Sequence, residues 1–408
     1  IQTMAFSGVE VSMKQLLNYL KQTGALKRLD QWINDHEKIE LTDVNEDLMI
    51  FLIAHIKETL NKNVLIVHHN LYHAQKLYDK LNQLTNDVSF FPQDEFITTD
   101  MLAMSESLKL ERLQTIQAIK AQNNNLVVTH PTGLIKTMMP LAEHKKAEKH
   151  YHIGDEINID TFIKDLVRLG YQRTTGVEKP GDFTVRGSLI DIYQPHYEHP
   201  IRIDFFDNEI DTIRVFNVQT QRSVTKIKQF TILPRVEFFY TESQYEKIKN
   251  NVSKNLSTLK LKSDVVDRIM DELEQLKHYE NQDQLSRYMT FLDCKLETLS
   301  DYLDEPFVIY INKDYVNKSY KQIRDDLSNW MMDTEDYPKL NFKFIRDIDT
   351  IYHYKSLYFN PFSVNEKRLK SFALRAKEGN PYDQNMHVLL KDLKKYENYV
   401  TVLLTVND

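Results

Sequence analysis

The chain has one cysteine, Cys294, in 408 residues. A single thiol excludes an internal disulfide and fits a reducing compartment, so a cytoplasmic location is expected. No window holds a long uncharged apolar run, which argues against a transmembrane helix. The first residues, IQTMAFSGVEVSMKQ, lack a basic stretch followed by an apolar one, so no secretory signal is read there. Glycine is scarce too. Of nine glycines, five (Gly154, Gly170, Gly176, Gly181, Gly187) fall in one short stretch, and none lies between Gly24 and Gly133. A phosphate-binding loop needs glycines so that backbone N–H groups can close around phosphate, and a lysine to meet its charge. Neither GxxxxGK followed by Ser or Thr nor GxGxxG occurs, and no nucleotide cofactor is expected. The net charge of −7 gives no overall pull toward nucleic acid.

What is present describes a multi-domain globular protein. Hydrophobic content is 41% and charged content 27%, ordinary values for such proteins. The length predicts two to four domains. Residues 1–145 alternate helical apolar spacing (12–20, 26–32, 48–60, 71–84, 105–121) with short apolar strands (63–68, 88–91, 126–129). That alternation predicts a parallel sheet with helices on its faces. Residues 146–236 change character. A helix over 160–169 ends at Gly170, which suits a left-handed cap, and three or four alternating strands follow. Asp207-Asn208 between two runs reads as a hairpin turn. This is the pattern of an inserted antiparallel α+β domain. Residues 237–330 are helix-rich and charged, with a strand at 306–312, and a helix at 316–331 follows. Residues 332–361 read as a linker with one or two strands. Residues 351–408 read as the unfinished start of a further small α/β domain, with a helix at 383–396 and a strand at 399–406.

The strand Ile201–Phe206 alternates sharply. Ile201, Ile203 and Phe205 form a core face, while Arg202, Asp204 and Phe206 face outward. Arg186 comes from a neighbouring strand beside Gly187. A phenylalanine flanked by arginines on an outward face is the composition of a binding hot spot. The bland alternative places Phe206 under a loop of its own domain. Other signals read blandly. FFPQDEF (90–96) has a strand followed by Asp-Glu but no phosphate loop to serve, and Asp271-Glu272 is assigned to a solvated helix face. His68, His69 and His73 lack a third or fourth ligand of metal-site type, so no metal is expected. Cys294 reads as a buried structural thiol. The basic run HKKAEKHYH (144–152) reads as a solvated connector.

GDFTVRGSLIDIY, PIRIDFFDNEID and VFNVQTQRS, within residues 181–223, resemble the second domain shared by UvrB and the Mfd family of transcription-repair coupling factors. VLIVHHNLYHAQKLYDKL, LVVTHPTGLI and TLSDYLDEPFVIYIN are similar to further parts of that module. The resemblance implies a RecA/helicase-like domain in two parts: 1–145 as domain 1A, 146–236 as inserted domain 2, 237–350 as domain 1B, and 351–408 as the start of domain 3. The place of the nucleotide loop reads LTDVNEDLMIFL, with Asn45, Glu46 and Asp47 where glycine and lysine would stand, and acidic side chains there repel phosphate. The DNA-gripping hairpin of UvrB is also expected to be missing, because residues 91–102 are too few for it. The family's implied task is recruitment of UvrA through Arg186, Arg202 and Phe206, without catalysis by this module. The parent it resembles is an ATP-dependent DNA translocase. There the surface is masked by a carboxy-terminal domain, and RNA polymerase and DNA are met by other regions. The competing expectation is an active UvrB- or helicase-like ATP-dependent repair enzyme. A further one is a nonspecific DNA surface over 144–152.

Overall fold

A computed structural model describes residues 17–18, 21, 24–85, 87–93, 105–122, 124–195, 197–333, 337–362, 369–374 and 386–395. Two sheets dominate it. The first contains β1 (Lys38–Thr42), β2 (Val64–Val67), β3 (Val88–Phe91) and β4 (Leu126–Thr129). The second element group begins with β5 (Lys149–His152) and continues through β6 (Gln172–Arg173), β7 (Asp182–Arg186), β8 (Leu189–Ile192), β9 (Ile201–Phe206), β10 (Glu209–Phe216), β11 (Ser223–Ile227) and β12 (Gln229–Ile232). The chain then returns to the first sheet with β13 (Phe307–Ile311), β14 (Ser356–Phe359) and β15 (Lys370–Ala373).

The first sheet has the order β15-β1-β14-β13-β2-β4-β3, with every pairing parallel. Its strands are short and apolar because both faces are covered: VLIV, SLYF and FVIYI are buried at every position. One face packs under helices Gly24–Asp35, Glu46–Leu60 and Leu71–Leu84, whose buried side chains include Leu29, Ile53 and Leu77. The other face packs under Glu106–Ala121 and Lys313–Asp333 through Ile116, Ile119, Val316 and Ile323. Residues assigned by sequence to a linker and to a further domain supply two strands here. β14 lies between β1 and β13, and β15 forms the edge beside β1. Much of the helix expected at 12–20, the strand at 399–406 and the acidic end of FFPQDEF lie outside the described residues.

The second sheet has the order β11-β10-β9-β8-β7-β6 and is antiparallel except between β6 and β7. Helix Ile159–Arg168 packs on its inner face through Phe162 and Leu166, beside Ile190, Ile201, Ile203 and Phe205. That helix ends at Gly170, with φ +89°, where a side chain would strike Val236. This is the left-handed cap the sequence predicts. β5 and β12 pair as a two-stranded ribbon where the chain enters and leaves the inserted unit. The inner core continues into helices Glu242–Thr258 and Ser263–Lys277 through Ile248, Val252, Ile269 and Leu273. The architecture is therefore mixed α/β, a parallel sheet plus a separate, mainly antiparallel one.

Two ion pairs join the two units, one of them buried. Arg112 has no solvent exposure. Its Nε and Nη2 donate to the Glu237 carboxylate, the latter at 2.6 Å, and its Nη1 donates to Pro92 O at 2.9 Å. The guanidinium lies 3.9 Å from the centre of the Phe91 ring. Burial alone would raise the Glu237 carboxyl, but Arg112 outweighs it and holds the group down to about 2. Arg235 pairs with Glu106 and lies against the backbone of Gly181, where an added Cβ would sit 1.9 Å from its Nε.

Candidate docking face and the nucleotide edge

The outward face of the second sheet is built by strand alternation. Ile201, Ile203 and Phe205 are 1%, 0% and 4% exposed, so the intervening side chains must point away from the core. A one-residue slip would bury the charges and expose the isoleucines, which fixes the register. Phe206 ends β9 at the hairpin tip and is 78% exposed. Asp207 takes φ +56° to turn the chain there. Arg186 is exposed at the end of β7, where its Nη2 donates to Thr175 O at 3.0 Å.

Arg202 is more constrained than its outward position implies. Its Nε and Nη2 donate to the two oxygens of buried Asp191 at 2.6 and 2.8 Å, and Nη2 also reaches Gln221 Oε1 at 3.2 Å. The guanidinium covers the ring of Phe216 at 4.5 Å. The bond to Asp191 raises the Arg202 pKa further, so the side chain stays cationic. Arg186, Arg202 and Phe206 thus share one sheet face. Phe206 is free there, while Arg202 offers its edge from a fixed orientation. Asp191 was not singled out by sequence, although cross-strand pairing of an acid with an arginine is the signal that could have found it.

The stretch that the resemblance sets in the place of the nucleotide loop lies between β1 and the next helix. After β1 the chain turns at Asp43, φ +56°, and enters helix Glu46–Leu60. Asn45 caps that helix, its Oδ1 accepting from Leu48 N at 3.0 Å. Glu46 and Asp47 occupy the first turn. This helix start carries its own side-chain cap and two acids, one of which, Glu46, pairs with Lys80 at 2.9 Å. Glu40, buried on β1, accepts from Asn360 Nδ2 at 2.7 Å.

The remaining sequence candidates fall as follows. The rings of His68, His69 and His73 cluster with centroids 4.5 to 5.2 Å apart. Burial, then the neighbouring imidazoles, lowers His68 to about 3. Asn70 caps the following helix, its Oδ1 accepting from His73 N at 2.9 Å. Among the described residues no group of three or more His, Cys, Asp or Glu is placed to hold a metal ion. His144 is buried against Phe239 and Tyr302, whereas Lys145, Lys146, Lys149, His150 and His152 are exposed. Two expectations are corrected. Cys294 is exposed, because the segment around it is a surface turn. Glu272 is buried, since it accepts from Tyr288 Oη at 2.6 Å and pairs with Arg287 inside the helical layer.

Residues 150–238, which include the whole outward face, match the UvrB interaction domain family. Over 334 residues the chain is 28% identical to the transcription-repair-coupling factor of Staphylococcus epidermidis, covering 80% of this chain and 28% of that protein. It is 31% identical over 274 residues to the factor of Bacillus subtilis, covering 65% of this chain and 23% of that one. The Staphylococcus aureus factor is 27% identical over 309 residues, 74% of this chain and 26% of its own length. The chain is a relative of the amino-terminal module of transcription-repair-coupling factors. It spans about a quarter of the length of the curated relatives it matches. No described helix is long and apolar enough to cross a membrane.

Proposed function

We propose that this module recruits UvrA through the outward face of its second sheet, as a docking unit without catalysis of its own. The observation that carries the reading is Phe206, 78% exposed on a face it shares with Arg186 and Arg202. A large ring left in water on a rigid strand, beside charged groups already oriented, is the form of an interface anchor. The match to a UvrB interaction domain over the same residues supports a partner from excision repair. The non-catalytic reading is supported by the Asn45-capped, acidic helix start. In a full-length cytoplasmic protein the module would link stalled RNA polymerase to nucleotide excision repair. Polymerase, DNA and ATP would be handled by other regions, and a carboxy-terminal domain would mask the docking face.

Calorimetric titration with purified UvrA tests this. Phe206→Ala should cost more than about 1–2 kcal/mol of binding, the scale of an anchor residue, and Arg186→Ala a smaller amount. Unchanged affinity in Phe206→Ala would refute the site. An ATPase assay with DNA present discriminates the alternative of an active UvrB- or helicase-like enzyme, since turnover by this chain would contradict the docking reading.

A further inference from the structure

The outward face holds more positive charge than the three residues above account for. Residues paired on neighbouring strands of a sheet share a face. Pairing sets Asp191, Arg202, Arg214 and Lys226 in one line across β8, β9, β10 and β11. Arg202 stands opposite Arg214, and Arg214 opposite Lys226. Two like-charge pairs in succession are destabilising in a free sheet. Asp191 is the one acid in the line, and it is committed to Arg202. Arg214 reaches only Asp204, at 3.4 Å, and its buried Nε has no partner. Lys226 is exposed, as are Ser223, Val224 and Thr225. Among the described residues no strand pairs with the outer edge of β11.

The opposite end of the face is acidic. Asp207, Glu209 and Asp211 are exposed around Phe206. Four residues of strand, about 13 Å, separate Phe206 from Arg202. A polyanion laid along β9 would meet repulsion at the hairpin tip. A second copy of the chain paired edge to edge would bring its own Arg222, Lys226 and Lys228 against these. A partner protein with carboxylates over the cationic line and an apolar socket at the tip meets neither penalty.

We propose that Arg214 and Lys226 continue the docking face to the open edge of β11, where they receive an extended acidic segment of the partner. The proposal rests on the UvrA-docking reading and specifies its electrostatics. The line supplies the charges, and the free edge supplies main-chain donors and acceptors for an added strand.

The test is titration of the chain with UvrA at low and moderate salt, comparing Lys226→Glu, Arg214→Gln and Phe206→Ala. Lys226→Glu replaces a like-charge pair by an opposite-charge one, so its melting temperature should hold or rise while affinity falls about tenfold at low salt. The loss should shrink as salt is added, whereas that of Phe206→Ala should persist. If Lys226→Glu and Arg214→Gln bind like the unaltered chain while Phe206→Ala does not, the extension is wrong and the docking reading stands. If all three bind normally, both are wrong. If Lys226→Glu instead abolishes retention of a DNA oligonucleotide and leaves UvrA binding intact, the line serves nucleic acid and the proposal is overturned.

Discussion

Replacing Arg112 by methionine should destabilise the chain by about 3–5 kcal/mol at pH 7, the cost of removing one partner from a buried ion pair. The guanidinium is fully buried, meets both oxygens of Glu237 and satisfies Pro92 O. Methionine keeps much of the packing on Phe91 but leaves the carboxylate and the carbonyl without their donor. Linkage gives a consistent magnitude. Glu237 is held at about 2 against an ordinary value of 4.5, and each unit of such a shift is worth about 1.4 kcal/mol. A depressed carboxyl stabilises the fold above its unfolded pKa and loses that contribution as pH falls toward its folded value. The pair is therefore worth about 3 kcal/mol at neutral pH. Urea unfolding at pH 7 and pH 3.5 measures both parts. The gap between Arg112→Met and the unaltered chain should be large at pH 7 and narrow by about 1 kcal/mol at pH 3.5. Adding Glu237→Gln to Arg112→Met should recover part of the loss, because no unpaired charge remains. A gap under about 1 kcal/mol at pH 7, or one that ignores pH, would refute the clamp as a source of stability.

Other outcomes follow from the same structure. His130 and His144 are buried and lowered by that burial to about 3 and about 4. Their stabilising contribution is complete above the unfolded value near 6.5 and declines below it, by about 1.4 kcal/mol per pH unit for each. The urea midpoint should thus fall between pH 6.5 and 4, and His144→Gln should flatten that fall if it folds. Gly181→Ala should lower the melting temperature by several degrees, because φ +97° is strained for alanine and the methyl would collide with Arg235. A melting temperature within one degree of the unaltered chain would contradict that packing. Asn45→Ala should cost about 1 kcal/mol through loss of the cap, read by the same urea titration.

Local periodicity made a large part of this fold readable. The alternation of Ile201, Ile203 and Phe205 with Arg202, Asp204 and Phe206 fixes a half-buried strand, and an all-apolar run such as residues 64–67 needs cover on both faces. Gly170 was legible because a helix end followed by glycine has few other conformations. What stayed hidden depends on partners far away in sequence. SLYF (356–359) is too short, and set among too many aromatic and acidic residues, to announce itself as a strand of the parallel sheet. Nothing local marks Glu237 as the partner of Arg112, 125 residues earlier. On the outward face of the second sheet, the positions of Arg186, Arg202 and Phe206 were legible, but the grip of Asp191 on Arg202 was not. That grip, like the line through Arg214 and Lys226, exists only once four strands are set in register.

Hydrogen–deuterium exchange of the chain with and without UvrA tests the central claim most directly. Slowed exchange over the outward face of the second sheet, from Val185 through the β9–β10 hairpin, with the Asp43–Leu48 segment unchanged, is the predicted result. Protection at Asp43–Leu48 on adding ATP, or a UvrA footprint confined to the parallel sheet, would contradict it.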